Sequence, residues 1–311
     1  QTCALPIYVM ERYGIIYNKA LLQKYFDANW SSVKDVETIN NFDTLRTVAD
    51  EIQAHKDDLG IKGAFTSAGF DTSSINRFGD QLAHVPVYYE YRDQGVTQLP
   101  ATISDTYIPN FKKIFDLYIT DSTTEPTQLS AKTGDDANSE FALGEAAFYQ
   151  NGTWAWTDLQ KAGMKAESVG MMPIYIGVKG EEKQGLATGS ENYWCINSKA
   201  SEADQKATAE FLKWVITSDT GKEALSTEMG FTTPFKTFDD IKTDNPLVAA
   251  AVADQKSGKT QVSWNFTMMP SEEWKNKLGS ALLEYAQGTG DWDAVKTAFV
   301  DGWKTEYDAS H

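Results

Sequence analysis

Three histidines, His55, His84 and His311, and two cysteines, Cys3 and Cys195, are all the imidazole and thiol chemistry open to this 311-residue chain. The cysteines stand in neither a CxxC nor a zinc-type spacing and read as two independent thiols. Three scattered histidines do not make a multi-histidine zinc site. There is no GxSxG, HExxH, GxxxxGK[ST] or GxGxxG run. Carboxylates are abundant, and adjacent pairs occur at Asp57–Asp58, Asp135–Asp136, Glu181–Glu182, Asp239–Asp240 and Glu272–Glu273. Neighbouring side chains point apart on a helix or a strand, so these pairs read as solvated surface. Two acids distant in sequence can still meet in space, as a glycosidase requires, but nothing here favours that. Asp136, Asn138 and Glu140 alternate as calcium ligands do, yet the turn glycine of an EF-hand loop is missing, and helix capping explains them better. The expectation is no catalytic residue, no metal and no cofactor.

Aromatic residues carry more information. The chain has nine Trp, 14 Tyr and 15 Phe, and several fall in loops or at element ends. NGTWAW puts Trp154 and Trp156 beside a glycine turn; GSENYW puts Trp194 after a polar loop; SWNFTMMPSEEW sets Trp264, Phe266 and Trp274 around a proline break. A pyranose ring has an apolar C–H face that stacks on an indole and a hydroxyl rim that needs Asp, Glu, Asn or Arg partners. A site built for such hydroxyls discriminates strongly, because a missing partner strands a buried polar group. Core packing is the ordinary fate of a tryptophan, and Trp156 is assigned to the core. Trp154 is the one placed in a cleft.

These residues must be carried by a recognisable scaffold. YVMERYGIIY at 8–17 reads as an extended segment, and Asn18 caps a short helix over 19–26. Phe42, Leu45, Val48, Ala49 and Ile52 share a helix face that Gly60 ends. A strand at 61–66 precedes the small-residue loop SAGFDTSS. Helical patterns follow at 75–84, 108–118 and 135–143, a buried strand at 146–149, a helix after NGTWAW and a strand at 168–173. GVKGEEKQGLATGS reads as a loop and 193–197 as a strand. Ser201 and Asp204 open a helix whose buried stripe is Ala207, Phe211, Leu212, Val215 and Ile216. Helices at about 219–229, 246–257, 271–287 and 291–307 complete the chain. Strands alternating with helices predict an α/β protein.

Composition excludes several classes. With 44 acidic and 28 basic residues the net charge is −16. That charge repels phosphate, so nucleic acid is not expected as a partner. The apolar content suffices for cores, and no run approaches the ~20 residues of a membrane span. Residues 1–7, QTCALPI, fit no signal peptide, and Ala-Leu-Pro-Ile is also what the end of a common sequencing adapter would encode, so they are read as a non-native leader.

The order of YGIIYNKALL, FDTLRTVADEI, EFALGEAAFYQNGTWAW, GMMP, GSENYWCINSK and AEFLKWVITSDTGKEAL resembles the extracellular solute-binding proteins of ABC sugar importers, the maltose-binding-protein-like branch, from about Tyr8 to the C-terminus. The resemblance implies a two-lobe, type II periplasmic-binding-protein-like α/β fold with the first lobe incomplete, lacking on the order of 100 residues, a domain-sized piece. It implies that 8–184 is the second lobe, 185–235 the return segment of the first lobe, and 236–311 helices packing on the second lobe. Carried over residue by residue, Trp154 is the stacking tryptophan, and Phe70 and Asp71 present an aromatic and an acid to the sugar. Glu191 and Asn192 lie in a hinge-side loop, and Trp274 and Phe266 add weaker C-terminal matches. The implied function is capture of a neutral mono- or oligosaccharide for an ABC permease, without catalysis. It implies a monomer, lipid-anchored outside the cell membrane through a missing N-terminal anchor or free in a periplasm. Alternatives are a binding protein for a polyamine or glycerol phosphodiester, and a secreted glycosidase.

Overall fold

In the computed structural model, residues 7–67, 70, 71, 74–190, 192–241 and 243–310 are described. Cys3 and Glu191 therefore lie outside the described residues. The sheet is organised by β1 (Glu11–Asn18), whose β-branched and aromatic residues Tyr13, Ile15 and Ile16 are fully buried. Antiparallel partners flank it on both sides: β3 (Ala146–Gly152) along one edge, β4 (Val169–Met172) and β5 (Gln184–Gly189) along the other. β2 (Gly63–Phe65) adds parallel to β3 and β6 (Thr260–Ser263) parallel to β5, giving the order β2-β3-β1-β5-β6 with β4 beside β1. A Cβ at Gly14 would collide with the Met172 carbonyl and the Leu186 side chain, so only glycine fits where β4 gives way to β5.

Helices cover this sheet. Asn18 caps α1 (Lys19–Asp27), its Oδ1 accepting the N–H groups of Ala20 and Leu21 at 3.0 and 3.2 Å. α2 (Phe42–Ala54) buries the expected Phe42, Leu45, Val48, Ala49 and Ile52, and α3 (Lys56–Leu59) ends at Gly60 in the left-handed region. The chain continues through α4 (His84–Gln94), α5 (Ile108–Thr120), α6 (Gly134–Ala142) and α7 (Ala155–Lys161). A Thr133–Asp136 capping box opens α6, the role expected for Asp136. After β5 come α8 (Glu202–Thr217), α9 (Asp219–Glu223), α10 (Pro246–Lys256), α11 (Glu272–Gln287) and α12 (Trp292–Ser310).

Three expectations are overturned. GVKGEEKQGLATGS is not all loop, because Gln184–Gly189 is β5, and residues 185–189 sit in the sheet with β1. Residues 193–197 are not a strand: Tyr193 makes an isolated bridge to Ile7. Nor is the α8 stripe buried. No residue of α8 is buried, and Phe211 is 59% exposed. Among the described residues of 192–241 only Gly221, Leu225 and Phe238 are buried.

A buried carboxylate ties the layers together. Glu181 accepts the N–H of Phe42 at the start of α2 at 2.7 Å, and those of Ile176, Gly177 and Val178 at 2.9, 2.9 and 3.3 Å. Glu181→Gln turns one acceptor into a donor facing those amides, and should cost about 2–3 kcal/mol in urea unfolding; an unchanged midpoint would refute the clamp. A second buried acid, Asp121 at the end of α5, is pushed up to about 7 by burial and then by the facing Asp50 carboxylate. Folded Asp121 thus keeps a proton that the unfolded chain releases above about pH 4. Its contribution to stability falls as pH rises from about 4 to 7 and is level above that. Melting temperature measured across this window should decline less steeply in Asp121→Asn.

Candidate ligand-binding site

Tyr13 on β1 lies directly opposite Gly152 on β3 in the antiparallel register. Because Gly152 has no side chain, the Trp154 ring folds back across that position; a Cβ there would fall among its benzo-ring carbons. Trp154 then stacks on Tyr13, with ring centroids 5.8 Å apart and planes 29° apart. Tyr13 is fully buried and Trp154 half-buried. Trp264, at the end of β6, meets Trp154 edge-on at 6.4 Å and 82°. Gly189 permits this approach, since its Cβ would lie 2.6 Å from that of Trp264. The Trp264 backbone N–H donates to Thr188 at 3.1 Å, fixing the tryptophan to β5.

Polar groups frame the aromatics. Arg77, on a π-helical stretch (Arg77–Leu82), holds its guanidinium 5.8 Å from the Trp154 centroid. Its Nη1 donates to Gln81 Oε1 at 2.9 Å. The Gln81 carbonyl accepts from His84 Nδ1 at 2.6 Å, and burial depresses His84 to about 4, so the ring is neutral. Gln150 Nε2 donates to Tyr13 Oη at 3.1 Å and to the Arg77 carbonyl at 3.0 Å. Burial pushes the Tyr13 hydroxyl far above its usual range, so it stays protonated. Two enclosed polar atoms beside the cluster lack a partner, Gln150 Oε1 and Trp264 Nε1. The face can stack a flat apolar ring and hydrogen-bond its rim. No nucleophile–base pair lies in it, and no metal-binding cluster exists among the described residues.

Of the expected site residues, Trp154 stands at this face. Phe266 reaches it only through Trp264, 4.9 Å away, and is buried against His84 and Lys275. Trp274 is a core residue: it is fully buried, its indole N–H donates to the Phe299 carbonyl at 3.0 Å, and it packs on Trp303. Phe70 is also core, 4% exposed and stacked on Phe78 at 4.6 Å. All three aromatics are buried and pack on other rings of the protein. Asp71 is half-buried in the turn that leads to Arg77, its carbonyl accepting the N–H groups of Ser74 and Ile75 at 3.0 Å. Asn192 donates to Glu11 at 3.0 Å where the chain leaves the sheet. Trp156 is buried, as expected.

Tyr13, Arg77 and Gln150 were not singled out from sequence. The strand pattern of Tyr13 and Gln150 carries no hint of a neighbouring tryptophan. A separate groove of about 270 Å³, lined by Tyr17, Glu37, Met172, Tyr175 and Asp254 among others, shares no residue with this face. Its Asp254 is already engaged by the Leu186 N–H, Gln261 and Lys259.

Residues 1–254 match the model of a family described as bacterial extracellular solute-binding protein. No curated protein sequence matches the chain. Among solved structures, a chitin oligosaccharide binding protein superposes with a TM-score of 0.71 at 16% identity, covering 99% of this chain and 72% of that one. A Streptococcus pneumoniae solute-binding protein in complex with the blood group A-trisaccharide gives 0.64 at 19%, with 97% and 71% covered. A manno-oligosaccharide-specific protein from Bifidobacterium animalis subsp. lactis in complex with mannotriose gives 0.59 at 14%, with 98% and 71% covered. At these identities the likeness establishes the fold. No helix among the described residues is long and apolar enough to cross a membrane.

The Gly152–Trp154 contact is directly testable. Gly152→Ala should displace the indole, changing the near-UV circular dichroism while the far-UV spectrum is kept. An unaltered near-UV spectrum would mean that Trp154 does not lie over Gly152.

Proposed function

The chain belongs to the bacterial extracellular solute-binding proteins, and from that premise we propose that it captures a neutral mono- or oligosaccharide between two lobes for import by an ABC transporter. The observation that carries this reading is the half-buried Trp154 face, backed by Tyr13, edged by Trp264 and rimmed by Arg77. An indole held this rigidly suits the C–H face of a pyranose, and its surround supplies the directional polar groups that hydroxyls need. Neighbours of the same fold are described with chitin oligosaccharide, a blood group trisaccharide and mannotriose, which supports sugars as the ligand class. The family is one of solute-binding proteins; on the proposed reading this member acts without turnover, as a monomer, and delivers its ligand to permease subunits. It works outside the cell membrane, held by a lipid anchor or free in a periplasm.

The lobe assignment follows the same reading. With the boundary moved from 184 to 189 because β5 pairs with β1, residues 8–189 and 236–311 form one α/β lobe around the β1 sheet, and 190–235 belong to the other. The burial contrast supports this: α8 exposes Phe211 and Trp214, at 59% and 49%, as a helix does when its covering sheet is elsewhere in the protein. Closure of two such lobes would sandwich the ligand on Trp154.

Calorimetric titration of the protein carrying its complete first lobe, against chitobiose, mannotriose, raffinose and the blood group A-trisaccharide, tests the proposal, with product formation followed in the same samples. Saturable binding without cleavage is expected, and Trp154→Ala should weaken it roughly 10- to 100-fold. Cleavage would replace the transport reading by a glycosidase. No heat from any sugar would move the ligand class to polyamines or phosphodiesters.

A further inference from the structure

We infer that Arg77 is a specificity-determining residue of this face, a fork of donors that reads adjacent hydroxyl oxygens on the ring stacked upon Trp154; the inference rests on the carbohydrate reading above. Two of the four arginines, Arg12 and Arg77, are half-buried and held by neutral groups, and of these only Arg77 lies over Trp154. The chain carries 44 carboxylates against 28 basic side chains. Exposed Arg46 and Arg92 both pair with neighbouring acids, Asp43 and Asp93. Arg77 is half-buried, yet it pairs with no carboxylate among the described residues, although Asp80 lies three residues on. Asp80 instead pairs with the buried Lys275 at 3.4 Å, which removes it as a counter-charge.

What holds Arg77 is neutral and directional. Of its five N–H groups, the structure commits one, to Gln81 Oε1, and the Gln81 backbone is pinned in turn by His84. The guanidinium is therefore positioned over the Trp154 ring with most of its donor capacity unspent on protein groups. A planar fork of this kind matches two oxygens on neighbouring atoms, and its weak hydration lowers the cost of covering it with ligand. Gln150 ties the backbone of Arg77 to the Tyr13 hydroxyl, so stacking platform and fork are held in one frame. A carboxylated ring could also meet a guanidinium. The −16 charge of the chain disfavours approach of an anion, so adjacent hydroxyls of a neutral ring are the assigned partner.

The test titrates chitobiose, mannotriose, raffinose and digalacturonate into the complete protein and into its Arg77→Met, Arg77→Lys and Trp154→Ala variants, with near-UV circular dichroism of each. Arg77→Met should weaken the neutral sugars by about 10- to 100-fold and change their rank order, with Arg77→Lys restoring only part of the affinity. Wild-type affinities and rank order in Arg77→Met, while Trp154→Ala loses binding, would overturn the role of Arg77 and leave the sugar reading standing. An equal loss for every sugar, with an altered near-UV spectrum in both arginine variants, would make Arg77 a structural support. Digalacturonate as the tightest ligand, lost in Arg77→Met, would replace hydroxyl recognition by carboxylate recognition. No sugar bound by the unsubstituted protein would remove the carbohydrate reading and this inference with it.

Discussion

The structure depends on one strand being shared. β1 is hydrogen-bonded along one edge to β3 and along the other to β4 and then β5. Such a strand must be apolar on both faces and must carry no bulk where its two partners on one edge change over. Ile15, Ile16 and Gly14 meet those demands. A larger residue at 14 would push Met172 and Leu186 outward and separate β4 from β5, which carries the chain toward residue 190. Loss of that junction would spread to β6, whose only strand partner among the described residues is β5.

The proposed binding face inherits its rigidity from this strand. Tyr13 takes its position from β1, Trp154 from the empty place opposite it at Gly152, and Trp264 from the β5–β6 pairing. Each aromatic is therefore fixed by backbone pairing as well as by its ring contacts. A stacking surface preorganised in this way loses little side-chain freedom on binding, which favours affinity from a modest contact area. The polar frame is equally indirect: His84 holds Gln81, Gln81 holds Arg77, and Gln150 joins Arg77 to Tyr13.

Exposure is distributed in a matching way. The body around the sheet buries its large aromatics, including Trp274, Trp303 and Phe111, whereas α8 leaves Phe211 and Trp214 in the open, stacked on each other at 6.0 Å. The crossing between the two regions is also aromatic. Tyr8 stacks on Trp194 at 4.6 Å, and Trp194 faces Phe235 at 6.2 Å. Backbone bonds from Met10 to Thr232 and from Tyr8 to Asn192 run alongside. Local packing thus joins the regions at the crossing while the apolar side of α8 stays uncovered.

Local periodicity by itself determined most helices, the β1 and β3 strands, the Asn18 and Ser201 caps, and the α/β class. Those features depend on neighbours within a few residues, where side-chain spacing speaks directly to burial. Trp154 drew attention because NGTWAW sets it beside a glycine, and it is over Gly152 that its ring lies. β5 and β6 were not, since QGLATG and TQVS become strands by pairing with distant backbone rather than by their own pattern. Burial of Phe70, Phe266 and Trp274 was likewise a tertiary outcome: loop and proline flanks suggested exposed rings, and packing on Phe78, Trp264 and Phe299 enclosed them. The α8 stripe failed in the opposite sense, being correctly amphipathic yet uncovered. Sequence spacing can say which side of an element is apolar; only the assembled chain decides what lies against it. Arg77 and Tyr13 joined the face for that reason, brought to Trp154 across 77 and 141 residues of chain by strand register and helix packing.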